Sequence, residues 1–214
     1  MPPSAAESPS PAPPPRRRGA YAKSEQRRRD ILAAAVTVFG AHGYRAGSLK
    51  EIADLVGMNP TSLFHYFPTK EALLQAVLDE RDAVSDQVAL DGEPMVSRAE
   101  DVPALFLRIA RNNESLPGII GLYTLVAAES STPGHPTREY FIERYRRIRR
   151  QFASGFALMH EAGLLAPGIT PEYAASSTLG LWDGVQMQWM IEPEAVDVVE
   201  HLRRHLSMIT TLEV

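Results

Sequence analysis

Start and stop signals for helices follow one another so closely between Ser48 and Lys70, in SLKEIADLVGMNPTSLFHYFPTK, that little freedom is left for any other local fold. Ser48 with Glu51 forms a capping box, in which the serine oxygen takes an orphan backbone donor and the glutamate reaches back. The second helix of the chain therefore starts at about Ser48. Leu49, Ile52, Ala53 and Val56 recur at helical spacing, and Gly57 supplies the left-handed residue that ends the helix. Asn59 can cap the next helix, whose first position, Pro60, loses no needed hydrogen bond. Helix three runs from about Pro60 to Phe67. Pro68 ends it, and Thr69 caps a fourth helix that opens with Lys70 and Glu71 and continues through Leu73, Leu74, Val77 and Leu78. Two helices joined by a short glycine-bearing turn match the helix-turn-helix unit, whose second helix enters the DNA major groove.

The run EIADLVGMNPTSLFHYFPTKEALLQAV resembles the signature of the TetR family of transcriptional regulators, most distinctively in Leu63 to Pro68 followed by Lys70 and Glu71. The phrase DGVQMQW, farther along, resembles family members as well. On helix three, Thr61, Ser62, Phe64 and His65 are the groove-facing candidates, while Leu63 and Phe67 point back toward helix one. Hydroxyls and an imidazole can bond base edges or phosphates, and the Phe64 ring can contact a thymine methyl or the sugar backbone. The resemblance implies phosphate-holding roles for Ser48, Tyr66 and Lys70. Two positions depart from the commonest family pattern: Phe64 stands where tyrosine is usual, and Pro60 where a polar residue, commonly lysine, is frequent.

Charge is distributed unevenly in a way that suits this reading. Residues 1–70 hold ten Lys and Arg against five Asp and Glu, whereas residues 71–214 hold twelve against twenty-one. A basic front and an acidic back suggest either that the front approaches a polyanion, which repels the back, or simply that charge varies along the chain. Residues 1–20, rich in Pro, Ser and Ala and ending in Arg16, Arg17 and Arg18, are expected to be a disordered tail; the triplet serves either as a minor-groove arm or as a solvated end. Helix one should begin near Ser24 and end around Gly40 to Gly43, with Ile31, Ala34, Ala35, Val38 and Phe39 as its apolar stripe. Lys23, Arg27, Arg28 and Arg29 start on its wetter side, where they either touch phosphates or are simply solvated.

The 214 residues contain no cysteine, so a disulfide framework, a thiolate nucleophile and a cysteine-based zinc site are excluded. The longest charge-free run, Ser115 to Ala128, is too short and too interrupted by Pro and Gly to span a bilayer, so no membrane partner is expected. Prolines occupy the N-terminus where a signal peptide needs an unbroken apolar segment, and the chain reads as cytoplasmic and unprocessed.

Beyond the module at 21–70, residues 71–214 read as helices throughout: the fourth toward Val88, then Val102 to Ser115, Pro117 to Ser130, Pro136 to Ala162, Pro171 to Met190 and Glu194 to Thr211. The fold class is all-α, an N-terminal three-helix DNA-binding module joined to a C-terminal bundle. No esterase elbow, phosphate-cradling glycine loop or His-Glu-x-x-His motif is present, so no catalytic residue, cofactor or metal is assigned. His201 and His205, four apart, lack an evident third metal ligand, and the Arg144 to Arg150 run reads as a solvated face paired with Glu143.

The family resemblance implies that the back half binds a small effector and holds a homodimer together. Phe106, Tyr123, Phe141, Tyr145, Trp182 and Met187 are available to line a pocket, with Glu129 or Asp183 as orienting groups. Ser176, Gly180 and Gly184 recur every four residues as a stripe another helix can approach; with Trp189 and the last helix (Val198, Leu202, Leu206, Ile209) they suggest a dimer surface. The expectation is a homodimeric, sequence-specific transcriptional regulator, a repressor released from its operator by a small molecule. The alternatives are an effector-free activator or architectural protein, and, more remotely, an enzyme using the helical pocket.

Overall fold

A computed structural model describes residues 17–90 and 98–214, with the backbone alone described for 17–20 and 84–90. Its helices are α1 (Arg17–Ala46), α2 (Leu49–Leu55), α3 (Pro60–Tyr66), α4 (Lys70–Leu90), α5 (Val102–Glu114), α6 (Pro117–Glu129), α7 (Arg138–Glu161), α8 (Pro171–Ile191) and α9 (Val198–Ile209). A single 3-10 turn, Ala99–Asp101, leads into α5, and among the described residues there is no β-strand beyond an isolated bridge between Leu165 and Thr210. No described helix is long and apolar enough to cross a membrane.

The local chemistry that starts and stops the N-terminal helices is satisfied in detail. Ser48 accepts the Glu51 amide at 3.1 Å, Asn59 accepts the Thr61 amide at 2.8 Å, and Thr69 accepts the Ala72 amide at 3.0 Å. Gly57 takes φ +63°, a conformation costly for any residue with a Cβ. The capping box is half made, because Glu51 turns away from Ser48 to meet His42 Nε2 at 3.1 Å. Helix α1 starts at Arg17, seven residues before Ser24, so the expected tail is shorter by the backbone of Arg17 to Ala20; Arg16 lies outside the described residues. The helix breaks at Gly43 (φ +74°), and at Gly47 a Cβ would come within 2.8 Å of the Phe39 ring. Helix α9 begins at Val198 rather than near Glu194, because Asp197 accepts the Glu200 amide and sets the start.

Two apolar cores organise these elements. The first joins Ile31, Val38 and Phe39 of α1 to Ile52 of α2, Leu63 of α3 and Leu74 of α4, then continues into Leu122, Tyr123 and Val126 of α6 and Phe141 of α7. The second holds Phe106, Phe156, Trp182, Leu202 and Leu206, from α5, α7, α8 and α9. The first core runs uninterrupted across the expected boundary at residue 70. Hydrophobic burial, at about 1.5–3 kcal/mol for each fully buried Leu, Ile or Phe, therefore ties the three-helix module rigidly to the bundle behind it.

Candidate nucleic-acid interface and effector cavity

Helix α3 is pinned from beneath and bare above. Leu63 has no exposed surface, and Phe67, which closes the helix by donating its amide to the Leu63 carbonyl at 3.0 Å, is buried beside it. With those two residues facing inward, helical spacing turns Thr61, Ser62, Phe64 and His65 to solvent, and Phe64 keeps 46% of its surface exposed. An exposed phenyl ring among hydroxyls and an imidazole suits the edges and methyl groups of base pairs. Tyr66 is half-buried against the first core, and Ser48 is exposed at the start of α2.

Basic residues around this face divide into braces between elements and exposed side chains, of which Arg29 donates to Gln26 Oε1 at 2.7 Å. Arg27 donates to the Val56 carbonyl at 3.1 Å and holds α1 to the end of α2, while the Arg28 guanidinium lies 5.3 Å from the Phe67 ring centre. Lys23 and Arg29 remain exposed. Lys70 is half-buried. Its ammonium donates to the Arg45 carbonyl at 3.1 Å and lies 4.7 Å from the Tyr44 ring centre, and burial lowers its pKa. The side chain expected to meet a phosphate also fastens the start of α4 to the end of α1.

Behind the module, α4, α5, α6, α7 and α8 enclose a cavity of about 220 Å³. Its apolar wall is built by Phe106, Phe152 and Trp182, with Phe106 and Phe152 ring centres 4.6 Å apart and Phe106 and Trp182 6.4 Å apart. Its polar end is built around Asp82 of α4. That carboxylate accepts Arg81 Nη1 at 3.1 Å, Arg144 Nε at 2.9 Å, Arg147 Nη2 at 2.5 Å and the Tyr140 hydroxyl at 3.1 Å. Burial pushes the Asp82 pKa up, but the Arg144 charge and hydrogen bonds outweigh it and hold Asp82 below the usual carboxylate range.

Arg144 also donates to the Tyr123 hydroxyl, and both Arg81 and Arg144 lie over the Tyr123 ring, 4.7 and 4.3 Å from its centre. Across the cavity, Asp183 accepts the Tyr145 hydroxyl at 2.9 Å, and burial raises its pKa toward the neutral form.

The model of the N-terminal domain of bacterial regulatory proteins of the tetR family matches residues 31–77. Over 52 residues the chain is 44% identical to the HTH-type transcriptional regulator RutR of Escherichia coli K12, a match covering 24% of this chain and 24% of that protein. The whole folded region superposes on the triclosan complex of SmeT, from Stenotrophomonas maltophilia, with TM-score 0.73, 19% identity and coverage of 86% of this chain and 89% of that one. Residues 31–77 are thus similar to the N-terminal domain of the TetR family, and the chain shares the fold of that solved structure. A longer alignment, 24% identical over 168 residues, relates it to the A-factor receptor protein of Streptomyces griseus and covers 78% of this chain and 56% of that protein.

Within this TetR-family fold, the residues expected to line a pocket separate into two groups. Phe106, Tyr123, Trp182 and Asp183 line the cavity. Phe141 lies in the first core, and Tyr145 reaches the wall indirectly through its bond to Asp183. Glu129 is six residues past Tyr123, about 9 Å farther along α6, where its Oε2 lies 3.7 Å from His135 Nε2. Met187, five residues and roughly 140° around α8 from Trp182, is 45% exposed on the opposite face.

The expected dimer residues also divide. Ser176, Gly180 and Gly184 are exposed, and a Cβ at either glycine would meet nothing within 4 Å. Trp189 is half-buried against the second core, whereas Leu202 and Leu206 are fully buried inside the chain and cannot face a partner. His201 Nδ1 lies 2.6 Å from the Asp197 carbonyl and His205 Nε2 lies 3.1 Å from Thr178 Oγ1. Among the described residues no three His, Asp or Glu side chains converge as a metal site.

The sequence reading missed the polar end of the cavity: Arg81, Asp82, Arg144 and Arg147 were absent from it. The signal was available for Arg144. It falls three residues after Phe141 and four before Ile148, on the inward stripe of α7, rather than on the solvated face assigned to the whole arginine run.

Proposed function

We propose that the chain is a homodimeric, sequence-specific DNA-binding transcriptional regulator that releases its operator when a small molecule fills the cavity between α4 and α8. The observation that carries this reading is the continuity of α4. Its first residue, Lys70, locks onto α1 beside the recognition helix, and eleven residues later, about 16 Å along the same helix, Arg81 and Asp82 form the cavity wall. A ligand that moves Asp82 or its arginines must move a helix wedged against the DNA-binding module.

Thr61, Ser62, Phe64 and His65 read bases, and Ser48 and Tyr66 flank them toward the phosphates. The exposed α8 face through Ser176, Gly180, Gly184 and Met187 pairs with its twofold copy, so that two α3 helices meet successive major grooves of a near-palindromic site. Release requires the ligand to favour one subunit arrangement over another, since equal affinity for both would shift nothing. SmeT is described in complex with triclosan, and the related A-factor receptor is by name a small-molecule receptor, which supports an effector-responsive reading.

The test is a mobility-shift titration of the full chain on duplexes carrying the DNA upstream of its own coding region. Saturable binding that survives excess unrelated duplex, weakened or broadened in Ser62→Ala and His65→Ala, is expected. Binding indistinguishable from that to unrelated duplex at all salt concentrations contradicts it.

A further inference from the structure

We infer that the cavity takes an anionic ligand, a carboxylate carried on a single aromatic ring or a short apolar chain, with Arg81 as the group that receives the acid. The inference rests on the regulator reading above and names the chemical class of its effector.

Among the described residues, three guanidinium groups surround one carboxylate at the polar end. Both Asp82 oxygens are already committed, to Arg81, Arg144, Arg147 and Tyr140. The Arg81 side chain is only 9% exposed, yet its Nε has no hydrogen-bond partner. A buried N–H left unpaired is costly, and a charged one more so, so an acceptor arriving there gains what the empty cavity lacks. Arg144 cannot relieve it, because a guanidinium has no acceptor, and its charge faces the same ring as Arg81. Burial and the like charge of Arg144 lower the Arg81 pKa, whereas Tyr123 and Asp82 more than offset burial at Arg144 and raise it.

Asp183, the other acidic residue of the wall, accepts from Tyr145, and burial raises its pKa. A planar carboxylate fits a guanidinium edge better than a lone hydroxyl or an amine would.

The rest of the cavity defines the body of the ligand. Phe106, Phe152 and Trp182 offer ring faces and edges, and 220 Å³ corresponds to about seven water volumes, room for one ring with a short tail.

The test uses 4-phenylbutyrate, 4-phenylbutyramide and 4-phenylbutylamine, which share ring and chain and differ in the terminal group. With the full wild-type chain, the acid should raise the melting temperature in a saturable way, and calorimetric titration should give it about tenfold or greater advantage in affinity over the amide and the amine. Arg81→Gln should lose about tenfold in affinity for the acid and leave the amide unchanged. Circular dichroism checks that this variant folds, and if it does not, the wild-type comparison decides alone. Equal binding of acid and amide, preference for the amine, or no binding of the acid overturns the inference. A mobility shift on the same preparation separates the two readings: selective DNA binding without an acid response sinks the ligand class alone, whereas acid binding without selective DNA binding sinks the regulator.

Discussion

Asp82 shows how a single buried side chain can join two helices and a ligand wall. It accepts four side-chain donors while only 8% exposed, and three of those donors carry positive charge. Removing one partner of such a set leaves uncompensated buried charge, so Asp82→Ala should destabilise the fold by about 3 kcal/mol, read from urea unfolding. The pH dependence follows from the direction of its shift. A carboxylate whose folded pKa lies below its ordinary 3.8 stabilises the fold above that value, and loses the contribution as pH falls through the folded pKa. The stability gap between wild type and Asp82→Ala should therefore be constant near neutrality and narrow below about pH 4. A gap that widens with acid would mean that Asp82 is not held ionised by its arginines. Asp82 also marks what the sequence could not reveal, because its partners Arg144 and Arg147 lie more than sixty positions away and pair with it only after α4 and α7 pack.

At the scale of elements, α3 has one buried side and one exposed side, proposed to carry stability and recognition respectively, and substitutions should separate them. Leu63→Ala empties a fully buried site and should cost about 2–5 kcal/mol, with DNA binding lost as the module loosens. Phe64→Ala, one residue on, should change thermal stability by less than about 0.5 kcal/mol while still weakening binding to the operator. Equal losses of stability in the two variants would show that α3 is not oriented as described. This element was legible in advance because its signals are local: Asn59, Pro60 and Thr69 act within three residues of themselves, and the structure makes the Asn59 and Thr69 capping bonds as the spacing requires. The bracing contacts of Lys70 could not be foreseen, because its partners, the Arg45 carbonyl and the Tyr44 ring, belong to another helix. The start of α9 was misplaced for a subtler reason. Pro193 marks a boundary, but the cap that sets the first turn, Asp197, lies four residues farther on.

For the whole molecule, the claim is that two copies meet along the outer face of α8. Ile191 is 80% exposed and Met187 45% exposed on a face where Gly180 and Gly184 meet nothing within 4 Å, so the face is apolar, flat and open. Gly184→Glu, which the single chain can accommodate, should convert a sedimenting dimer into a monomer while preserving helical content. Operator affinity should fall at least about tenfold, because each half-site must then be bound independently. An undiminished dimer would place the twofold contact elsewhere. The all-helical layout and the order of the elements followed from periodicity and punctuation, but the cavity did not. Its wall draws on five helices, and which aromatic residue faces it depends on rotation about each axis, as the opposite fates of Trp182 and Met187 on α8 illustrate.

The account as a whole depends on the outward face of α3 discriminating between base sequences. In vitro selection from a pool of random duplexes, with the full chain as bait and Ser62→Ala/His65→Ala in parallel, measures this most directly. The prediction is enrichment of a near-palindrome whose half-sites lie about 10 base pairs, or a multiple, apart, with sharpness at the half-sites lost in the double variant. A pool that stays random through successive rounds, or an identical motif from both proteins, would contradict it.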